Sequence, residues 1–393
     1  MINLLKNQNE TQFLDVKITS FVVKIASRCN LNCDYCYMYQ HVDQSYKKQP
    51  RFFSEANVIH LSRQIDRYFE ESGLDEISVC LHGGEPLLAG LKRIEFFLDT
   101  LSQCKKKVSF SIQTNGVLLS KNYLELFKKY NVFVSLSLDG PQSANDKHRL
   151  DHQGNSSYAK VNEAITLLTN DYKDLFSGII SVLDPTNSPE EIIDYFASIN
   201  PPTYDILFPD ATHFVPPPGR DKNPNLYIDW MERALNHWAT YQPQLRLRTF
   251  VNLYDGILGN GTESELFGKG LISYLVIETD GTYHYSDLLK VTYENASEIG
   301  FSIESTSIME ISRSPAIQKF QTLLLQENKC EECLNCPEFE ICGSGQIAHR
   351  YGPNGFYHPT AYCKEMLAMI RRARYLIFSR KAKELCNAST KKP

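Results

Sequence analysis

Short apolar runs alternate with amphipathic segments over the first half of the chain. Six runs rich in β-branched residues follow one another between residues 20 and 210, and they read FVVKIA, ISVCLHG, VSFSIQTN, VFVSLSLD, FSGIISVLD and YDILFPD. The segments between them, such as 55–71 and 160–170, have the period of about 3.6 residues that is typical of helices. Six strand-and-helix repeats predict a parallel sheet with right-handed crossovers. The alternation is compatible with a barrel-like α/β fold and equally with an open, doubly wound sheet.

The pattern changes beyond this half. The stretch 214–225, FVPPPGRDKNPN, predicts a linker or a loop because of its prolines and polar residues, and helical segments follow at 226–241 and 249–258. Apolar and polar residues then alternate around Asp280 and Gly281 in SYLVIETDGTYHYSD, which predicts a β-hairpin. With 393 residues, of which 42% are hydrophobic, the chain is long enough for two domains.

Charge and hydropathy exclude several classes of protein. A formal net charge of -5 argues against general affinity for nucleic acid or for acidic membrane surfaces. No apolar run approaches the roughly 18 residues that a membrane span needs, and the N-terminal sequence lacks a signal-peptide core. We therefore expect a cytoplasmic protein that binds neither membranes nor nucleic acid.

Eight of the eleven cysteines fall into two tight groups, one at 29–36 and one at 330–363. Grouped cysteines in a cytosolic protein favour metal binding over disulfides. The first group, Cys29-x₃-Cys33-x₂-Cys36, directly follows the first apolar run. Three thiolates leave one ligand unsupplied: a closed zinc site wants four protein ligands, whereas a four-iron four-sulfur cluster on three cysteines keeps one iron open.

Three further motifs stand where predicted strands end. They are GGEP (Gly83, Gly84, Glu85, Pro86), TNG (Thr114, Asn115, Gly116) and DGP (Asp139, Gly140, Pro141). In barrel-like α/β folds the ends of the strands form the face that carries the active site.

Taken in this order, the cysteine loop and the three motifs resemble the radical S-adenosylmethionine (SAM) superfamily from about residue 20 to residue 210. The resemblance implies a partial (β/α)₆ TIM-like barrel. It also implies a four-iron four-sulfur cluster on Cys29, Cys33 and Cys36, whose open iron is chelated by the amine and carboxylate of SAM.

The same resemblance implies a set of SAM contacts. Gly83 and Gly84 would form the edge that pairs with the methionyl amine, with Glu85 as the ammonium partner. Tyr35 would pack near adenine, and Asn115 of TNG would also bind the cofactor.

Two more contacts come from the fourth strand and the segment after it. Ser135 and Ser137 share one face of their strand and would reach the ribose or the carboxylate. Arg149 in KHRLDHQG would clamp the SAM carboxylate, for which a planar guanidinium is suited. A surface ion pair of Arg149 with Asp146 or Asp151 is the alternative.

The second cysteine group resembles the auxiliary-cluster motif of SPASM domains. Cys333-x₂-Cys336-x₅-Cys342, completed by Cys363, implies a second, fully ligated four-iron four-sulfur cluster that moves electrons. Zinc at the same four thiolates is the structural alternative. Cys330 has no assigned role.

The chain departs from the usual SPASM pattern in two places. Gln346 stands where many members have a further cysteine, and Ser286 occupies the cysteine position of the hairpin, so the first auxiliary cluster is expected to be absent. Asp287 lies where sulfatase-maturing relatives hold a proton-accepting aspartate, and we expect it to act as a general base, with capping of a local turn as the alternative.

The runs LFPDATH, SDLLK and CGSG resemble the cyclophane-forming, FxSxx-type maturases of ribosomal peptides. This resemblance implies that a 5′-deoxyadenosyl radical removes a hydrogen from a β-carbon of a precursor peptide, and that this carbon then bonds to an aromatic ring. The implied partners are the precursor peptide and an electron donor such as flavodoxin or ferredoxin. Alternatives are oxidation of Ser or Cys to formylglycine, thioether formation, and a peptide-binding scaffold without chemistry.

These inferences predict five segments. They are an N-terminal extension at 1–19, the radical SAM barrel at 20–230, a helical bridge at 231–272, a SPASM-like domain at 273–363 and a basic C-terminal helix at 364–393. The basic helix is expected to present a solvated face, and docking of an acidic leader peptide is the sharper alternative.

Overall fold

Nine strands form one mixed sheet within the residues that the structure describes. The computed structural model describes residues 14, 16–262, 264–267 and 270–389, with side chains described as far as residue 379. The strands are β1 Ser20–Ala26, β2 Glu76–Gly83, β3 Lys107–Thr114, β4 Val132–Ser137, β5 Phe176–Val182, β6 Tyr204–Leu207, β7 Tyr274–Ile277, β8 Thr282–His284 and β9 Glu298–Ser302.

Helices connect most of these strands. They are α1 Glu55–Ser72, α2 Leu91–Ser102, α3 Lys121–Tyr130, α4 Gln142–Asn145, α5 Tyr158–Asn170, α6 Pro189–Ile199, α7 Leu226–Tyr241, α8 Arg248–Leu258, α9 Ile308–Ser312, α10 Pro315–Thr322, α11 Glu331–Leu334, α12 Phe339–Cys342 and α13 Cys363–Ser389.

The order of the strands decides between the two folds that the sequence left open. Strands β6, β5, β4, β3, β2 and β1 are neighbours in that order, and all of these pairs are parallel. A doubly wound sheet would reverse its strand order part-way. Because the order here never reverses and crossovers are right-handed, the connecting helices lie on one face. The partial barrel is confirmed, and the doubly wound alternative is wrong.

The second half of the chain extends the same sheet past β1. Strand β7 pairs parallel with β1, with Phe21 opposite Leu275, and β8 and β9 follow antiparallel. The predicted hairpin is thus confirmed, and Gly281 takes the positive φ of 86° that its turn requires. Strand β1 is therefore flanked on both sides, by the barrel and by the C-terminal hairpin.

Local signals fix where the helices begin and end. In α1 the side chain of Ser54 accepts a hydrogen bond from the backbone of Asn57, and Gly73 ends the helix in the left-handed conformation. The face of α1 toward the sheet is apolar and buried. The loop that carries the first cysteine group, between β1 and α1, therefore ends at Ser54.

Helix α13 packs against α7 and α8 and closes the C-terminal side of the protein. Its side chains Met366, Met369 and Ile370 are fully buried. The side chains of the basic cluster from residue 380 onward lie outside the described residues, as does most of the expected N-terminal extension. In the described part of the chain, no helix has the length and apolarity to cross a membrane.

Replacement of Gly178 in β5 tests how tightly the last barrel strands pack. A Cβ atom there would lie 2.3 Å from Thr203 Oγ1 and 2.4 Å from the Thr203 carbonyl oxygen. We expect Gly178→Ala to lower the free energy of unfolding by about 1–3 kcal/mol in chemical denaturation. The control is Gly256→Ala in α8, where the new methyl would meet Ile341 at 3.5 Å. It should be neutral or stabilising by about 0.5–1 kcal/mol, and equal losses in both variants would contradict the packing.

Candidate active site and cysteine-lined cavities

A cavity of about 1040 Å³ opens at the carboxyl ends of the barrel strands. Each of the first six strands, or the loop directly after it, contributes to its wall. The contributing residues include Cys36, Gly84, Asn115, Ser137, Val182 and Phe208. This volume is at the upper end of those that enclose a small ligand, so there is room for a cofactor together with part of a substrate.

The three cysteines of the first group all line this cavity. Cys29, Cys33 and Cys36 are free thiols, and burial raises the pKa of Cys29 to about 12 and of Cys36 to about 11. Nearby Glu85 and the neighbouring thiols raise the pKa of Cys29 further. Neighbouring thiols whose ionisation is disfavoured need a cation to become thiolates together, which suits an iron cluster.

The edge formed by Gly83 and Gly84 lies directly against the cysteine loop. A Cβ on Gly84 would lie 1.8 Å from Tyr39 Oη and 2.4 Å from the carbonyl oxygen of Arg28. The backbone N–H of Gly84 donates to the carbonyl of Ala26 at 2.8 Å. Only glycine fits this close approach of two backbones, which brings the edge and the cysteines to one wall of the cavity.

Glu85 has a different set of contacts from the one expected. It is fully buried and is not among the residues that line the cavity. One carboxylate oxygen accepts hydrogen bonds from Leu87 N at 3.0 Å and Thr114 Oγ1 at 2.7 Å, and the other accepts from Asn115 N at 2.8 Å. In this structure Glu85 therefore braces the TNG loop, and contact with the SAM ammonium remains a prediction.

Arg149 lies in the cavity wall and not on the surface. Its Nη1 donates to Tyr35 Oη at 2.8 Å, and Tyr35 in turn donates to Asp139 at 2.6 Å. Arg149 Nε is buried and has no hydrogen-bond partner among the described residues. The surface pair with Asp146 or Asp151 is absent from the contacts of this residue, and the unpaired N–H suits the carboxylate of a bound ligand.

The remaining expected contacts divide into two groups. Ser137 and Asn115 line the cavity, and Asn115 Nδ2 lies 3.7 Å from Cys29 Sγ. Ser137 accepts a hydrogen bond from Gln113 at 2.9 Å. Ser135 does not line the cavity, although it shares the strand face of Ser137.

The cavity wall also contains residues that the sequence analysis missed. Tyr37 and His82 line it, and behind them lies a buried ion pair between Lys24 of β1 and Asp287. Asp287 itself is not among the lining residues. The sequence does contain a signal for this ion pair, because a lysine lies inside the apolar run FVVKIA and a charge in a buried strand requires a partner.

The second cysteine group lines a cavity of its own. Cys333, Cys336, Cys342 and Cys363 surround about 180 Å³ of space. Burial raises the pKa of Cys333 and of Cys342 to about 12. Cys330 lies close enough to affect the pKa of Cys333 but does not line this cavity.

Neither cavity offers a ready site for a single metal ion among the described residues. In the described ranges, no three or more His, Cys, Asp or Glu side chains are grouped to hold one. The thiols instead face larger spaces. Those of the first group, with the glycine edge and the unpaired Nε of Arg149, fit a cluster that binds SAM.

Comparison with known proteins identifies the barrel. Residues 23–199 match the Radical SAM superfamily. Over this region, a little under half of the chain, the protein is similar to radical SAM enzymes. Enzymes of this superfamily use a four-iron four-sulfur cluster and SAM, which when bound supply one-electron, hydrogen-abstracting chemistry, and Cys29, Cys33 and Cys36 are the residues that would hold the cluster here.

The sequence similarity to curated proteins extends beyond the barrel. The chain is 27% identical over 364 residues to the cysteine-type anaerobic sulfatase-maturating enzyme of Clostridium novyi, with 84% of this chain and 88% of that protein covered. It is 27% identical over 379 residues to the radical SAM cyclopropyl synthase TigE of Paramaledivibacter caminithermalis, with 91% and 74% covered.

A solved structure gives the same fold over most of the chain. Native anSMEcpe with bound AdoMet and a peptide superposes with a TM-score of 0.79, at 22% identity, and the match covers 92% of this chain and 99% of that one. The shared fold includes the segment after the barrel, which the superfamily match at 23–199 does not reach.

Iron content separates the two cysteine groups. Anaerobic reconstitution with iron and sulfide is expected to load about eight irons per chain, and about four after replacement of Cys29, Cys33 and Cys36 by Ala. The control Cys104→Ala, outside both groups, should keep about eight. About four irons falling to none in the triple variant would leave the second group without a cluster and contradict the assignment.

Proposed function

We propose that the protein modifies a ribosomally made precursor peptide, abstracting a hydrogen from a β-carbon and joining that carbon to an aromatic side chain. The observation that carries the proposal is the large cavity, which is lined by the thiols of the first cysteine group and by Tyr37, whose hydroxyl donates to the buried carboxylate of Asp287. The cavity has room for a peptide side chain beside the cofactor.

The chemistry sets requirements that the residues must meet. The peptide loses one hydrogen atom from the β-carbon, and the resulting carbon radical adds to the ring to form a carbon–carbon bond. The ring then gives up one electron and after that one proton. The electron pair of the broken C–H bond stays in the ring and restores its aromaticity. The net result is loss of two hydrogen atoms, so the site needs an electron acceptor and a base.

Asp287 is the proposed base. Its Oδ2 pairs with Lys24 and accepts a hydrogen bond from Tyr37 at 3.3 Å, whereas Oδ1 is buried with no hydrogen-bond partner among the described residues. A buried carboxylate oxygen without a partner has lone pairs available for a proton. Tyr37 and His82 stand between it and the open part of the cavity.

The second cysteine group supports an exit for the electron. Cys333, Cys336, Cys342 and Cys363 would hold an auxiliary four-iron four-sulfur cluster, which supplies a one-electron acceptor and has no open iron. Where SPASM proteins place further cysteines, Ser286 and Gln346 stand in this chain, so we propose a single auxiliary cluster. An external donor such as flavodoxin or ferredoxin would reduce the cluster at Cys29, Cys33 and Cys36.

A second candidate is oxidation of Ser or Cys in a peptide to formylglycine. The full-length similarity to a protein named as a cysteine-type anaerobic sulfatase-maturating enzyme favours it. The solved relative named with a bound peptide supports a peptide substrate for both candidates. Ser286 and Gln346 argue against the second candidate, because they remove the ligands of a further cluster.

A peptide pool distinguishes the two. The reconstituted protein is incubated with SAM, dithionite and synthetic peptides that each carry an aromatic residue, a Ser and a Cys. We expect products that have lost two hydrogen atoms, do not react with hydroxylamine, and resist fragmentation between the joined residues in tandem mass spectrometry. Hydroxylamine-reactive products would identify the formylglycine activity. Formation of 5′-deoxyadenosine with no modified peptide in the pool would contradict both.

Replacement of Asp287 tests the base. Asp287→Asn should still form 5′-deoxyadenosine but should lose about a hundredfold or more of the crosslinked product, which is typical when a general base is removed. Mass spectrometry of both products from one reaction gives the ratio. The control is Asp280→Asn at the exposed turn of the same hairpin, which should keep the ratio of the unsubstituted protein. An unchanged ratio in Asp287→Asn would exclude the role.

A further inference from the structure

A lysine ammonium is buried on β1, next to the cavity. The side chain of Lys24 is fully buried, and it has three oxygen or nitrogen partners: an ion pair with Asp287 Oδ2, Tyr37 Oη at 3.2 Å and His82 Nδ1 at 3.3 Å. Met38 Sδ is a fourth, weaker contact at 3.9 Å. An ammonium has three N–H donors, so this arrangement uses all of them. Lys24 and His82 stand opposite each other in the register of β1 and β2, which fixes this geometry through the sheet.

Tyr37 links Lys24 to Asp287, whereas His82 accepts from Lys24. His82 Nδ1 also accepts from Gly83 N at 2.8 Å, and burial together with Lys24 lowers the pKa of His82 to about 3, so the ring is neutral. Tyr37 accepts from Lys24 and donates to Asp287 Oδ2. Lys24 and Tyr37 thus both direct a donor at Oδ2, and Oδ1 has no donor among the described residues.

Further buried charges surround Asp287. Lys290 pairs with Glu278 at 3.1 Å, and both side chains are about as buried as Lys24. The buried carboxylate of Asp43 also lies near Lys290, so two buried cations and three buried anions stand together here. The titratable groups that face Asp287 are Lys24, Lys290, His82, Tyr37, Tyr274 and His284.

A carboxylate at this depth without a partner would take up a proton, because burial disfavours the charged form. The ion pair with Lys24 opposes this effect. We propose that Lys24 is a positioning residue that keeps Asp287 ionised and leaves Oδ1 as the oxygen that accepts the substrate proton. The inference rests on the role of Asp287 in the proposed function.

This arrangement has a consequence for the order of the reaction. A carboxylate stabilised by an ion pair is a weak base, so it takes a proton only from a strong acid. The ring adduct becomes strongly acidic once a one-electron acceptor has oxidised it. The electron therefore leaves first, and the C–H bond of the ring breaks afterwards, with its proton going to Oδ1 and its electron pair restoring aromaticity.

Unfolding of the reconstituted protein at several pH values tests the pairing directly. In Lys24→Met the buried Asp287 loses its cation and its pKa rises, so the loss of stability should be largest at neutral pH and shrink as the pH falls. In Asp287→Asn the buried Lys24 ammonium loses its anion, and because an unpaired buried charge is costly this variant should also be less stable at neutral pH. The double variant should lose less than the sum of the two single variants.

A matched control is the exposed pair of Lys105 with Glu70. Lys105→Met should shift the unfolding midpoint little at any pH. A loss in Lys24→Met that is independent of pH, with single-variant losses that add in the double variant, would overturn the proposal, because these results would show packing and not charge.

The catalytic consequence is measured as the amount of crosslinked product formed per molecule of 5′-deoxyadenosine over a range of pH. The substrate is a peptide from the pool that the enzyme modifies. In Lys24→Met the acid limb of this ratio should move up by about one pH unit or more, and Lys24→Arg should restore it. An unmoved acid limb would overturn the positioning role. If no peptide is modified, the proposed function fails, whereas the unfolding series still decides whether Lys24 holds Asp287 ionised.

Discussion

The parallel pairing of β1 with β2 on one side and with β7 on the other is the constraint on which the site depends. Strand β1 ends in the cysteine loop, β2 ends in the glycine edge, and β7 leads through its hairpin to Asp287. Because the carboxyl ends of parallel strands meet at one edge of a sheet, the cysteine loop and the glycine edge converge there. Asp287 follows the antiparallel strand β8 and reaches Lys24 of β1. A change of register on either side of β1 would separate the thiols from the edge or the lysine from its aspartate.

Buried polar groups around this strand are paired with one another. Glu85 uses both oxygens to hold the loops after β2 and β3, and Lys24 uses its three N–H groups on Asp287, Tyr37 and His82. Such groups are costly to bury unless every partner is present. They therefore fix the positions of the loops more firmly than apolar packing would. Among the buried atoms without a hydrogen-bond partner in the described part of the chain, Arg149 Nε and Asp287 Oδ1 stand in or behind the wall of the cavity.

The two cysteine groups serve separate spaces. The first shares its cavity with the end of every barrel strand, whereas the second encloses a small cavity beneath the start of α13. This separation suits a division between radical generation at an open iron and electron transfer at a fully ligated cluster. Both candidate reactions need this division, and they differ in what the peptide places in the large cavity.

The sequence by itself determined the elements and the chemistry at their ends. Periodicity and turn residues located the six barrel strands, the hairpin at Gly281 and the helix Leu226–Tyr241, because these signals depend on near neighbours in the chain. The spacing of Cys29, Cys33 and Cys36 indicated the cluster for the same reason.

Only the tertiary structure decided which partner each buried group has. In the folded chain Glu85 accepts hydrogen bonds from the TNG loop, and Arg149 lies in the cavity wall and donates to Tyr35. Asp287 pairs with Lys24, behind Tyr37 and His82. These contacts join residues far apart in the sequence, and they exist because β1 pairs with β2 and β7. Many segments of the chain have the same local strand pattern and could pair with β1, so no local signal specifies which of them do.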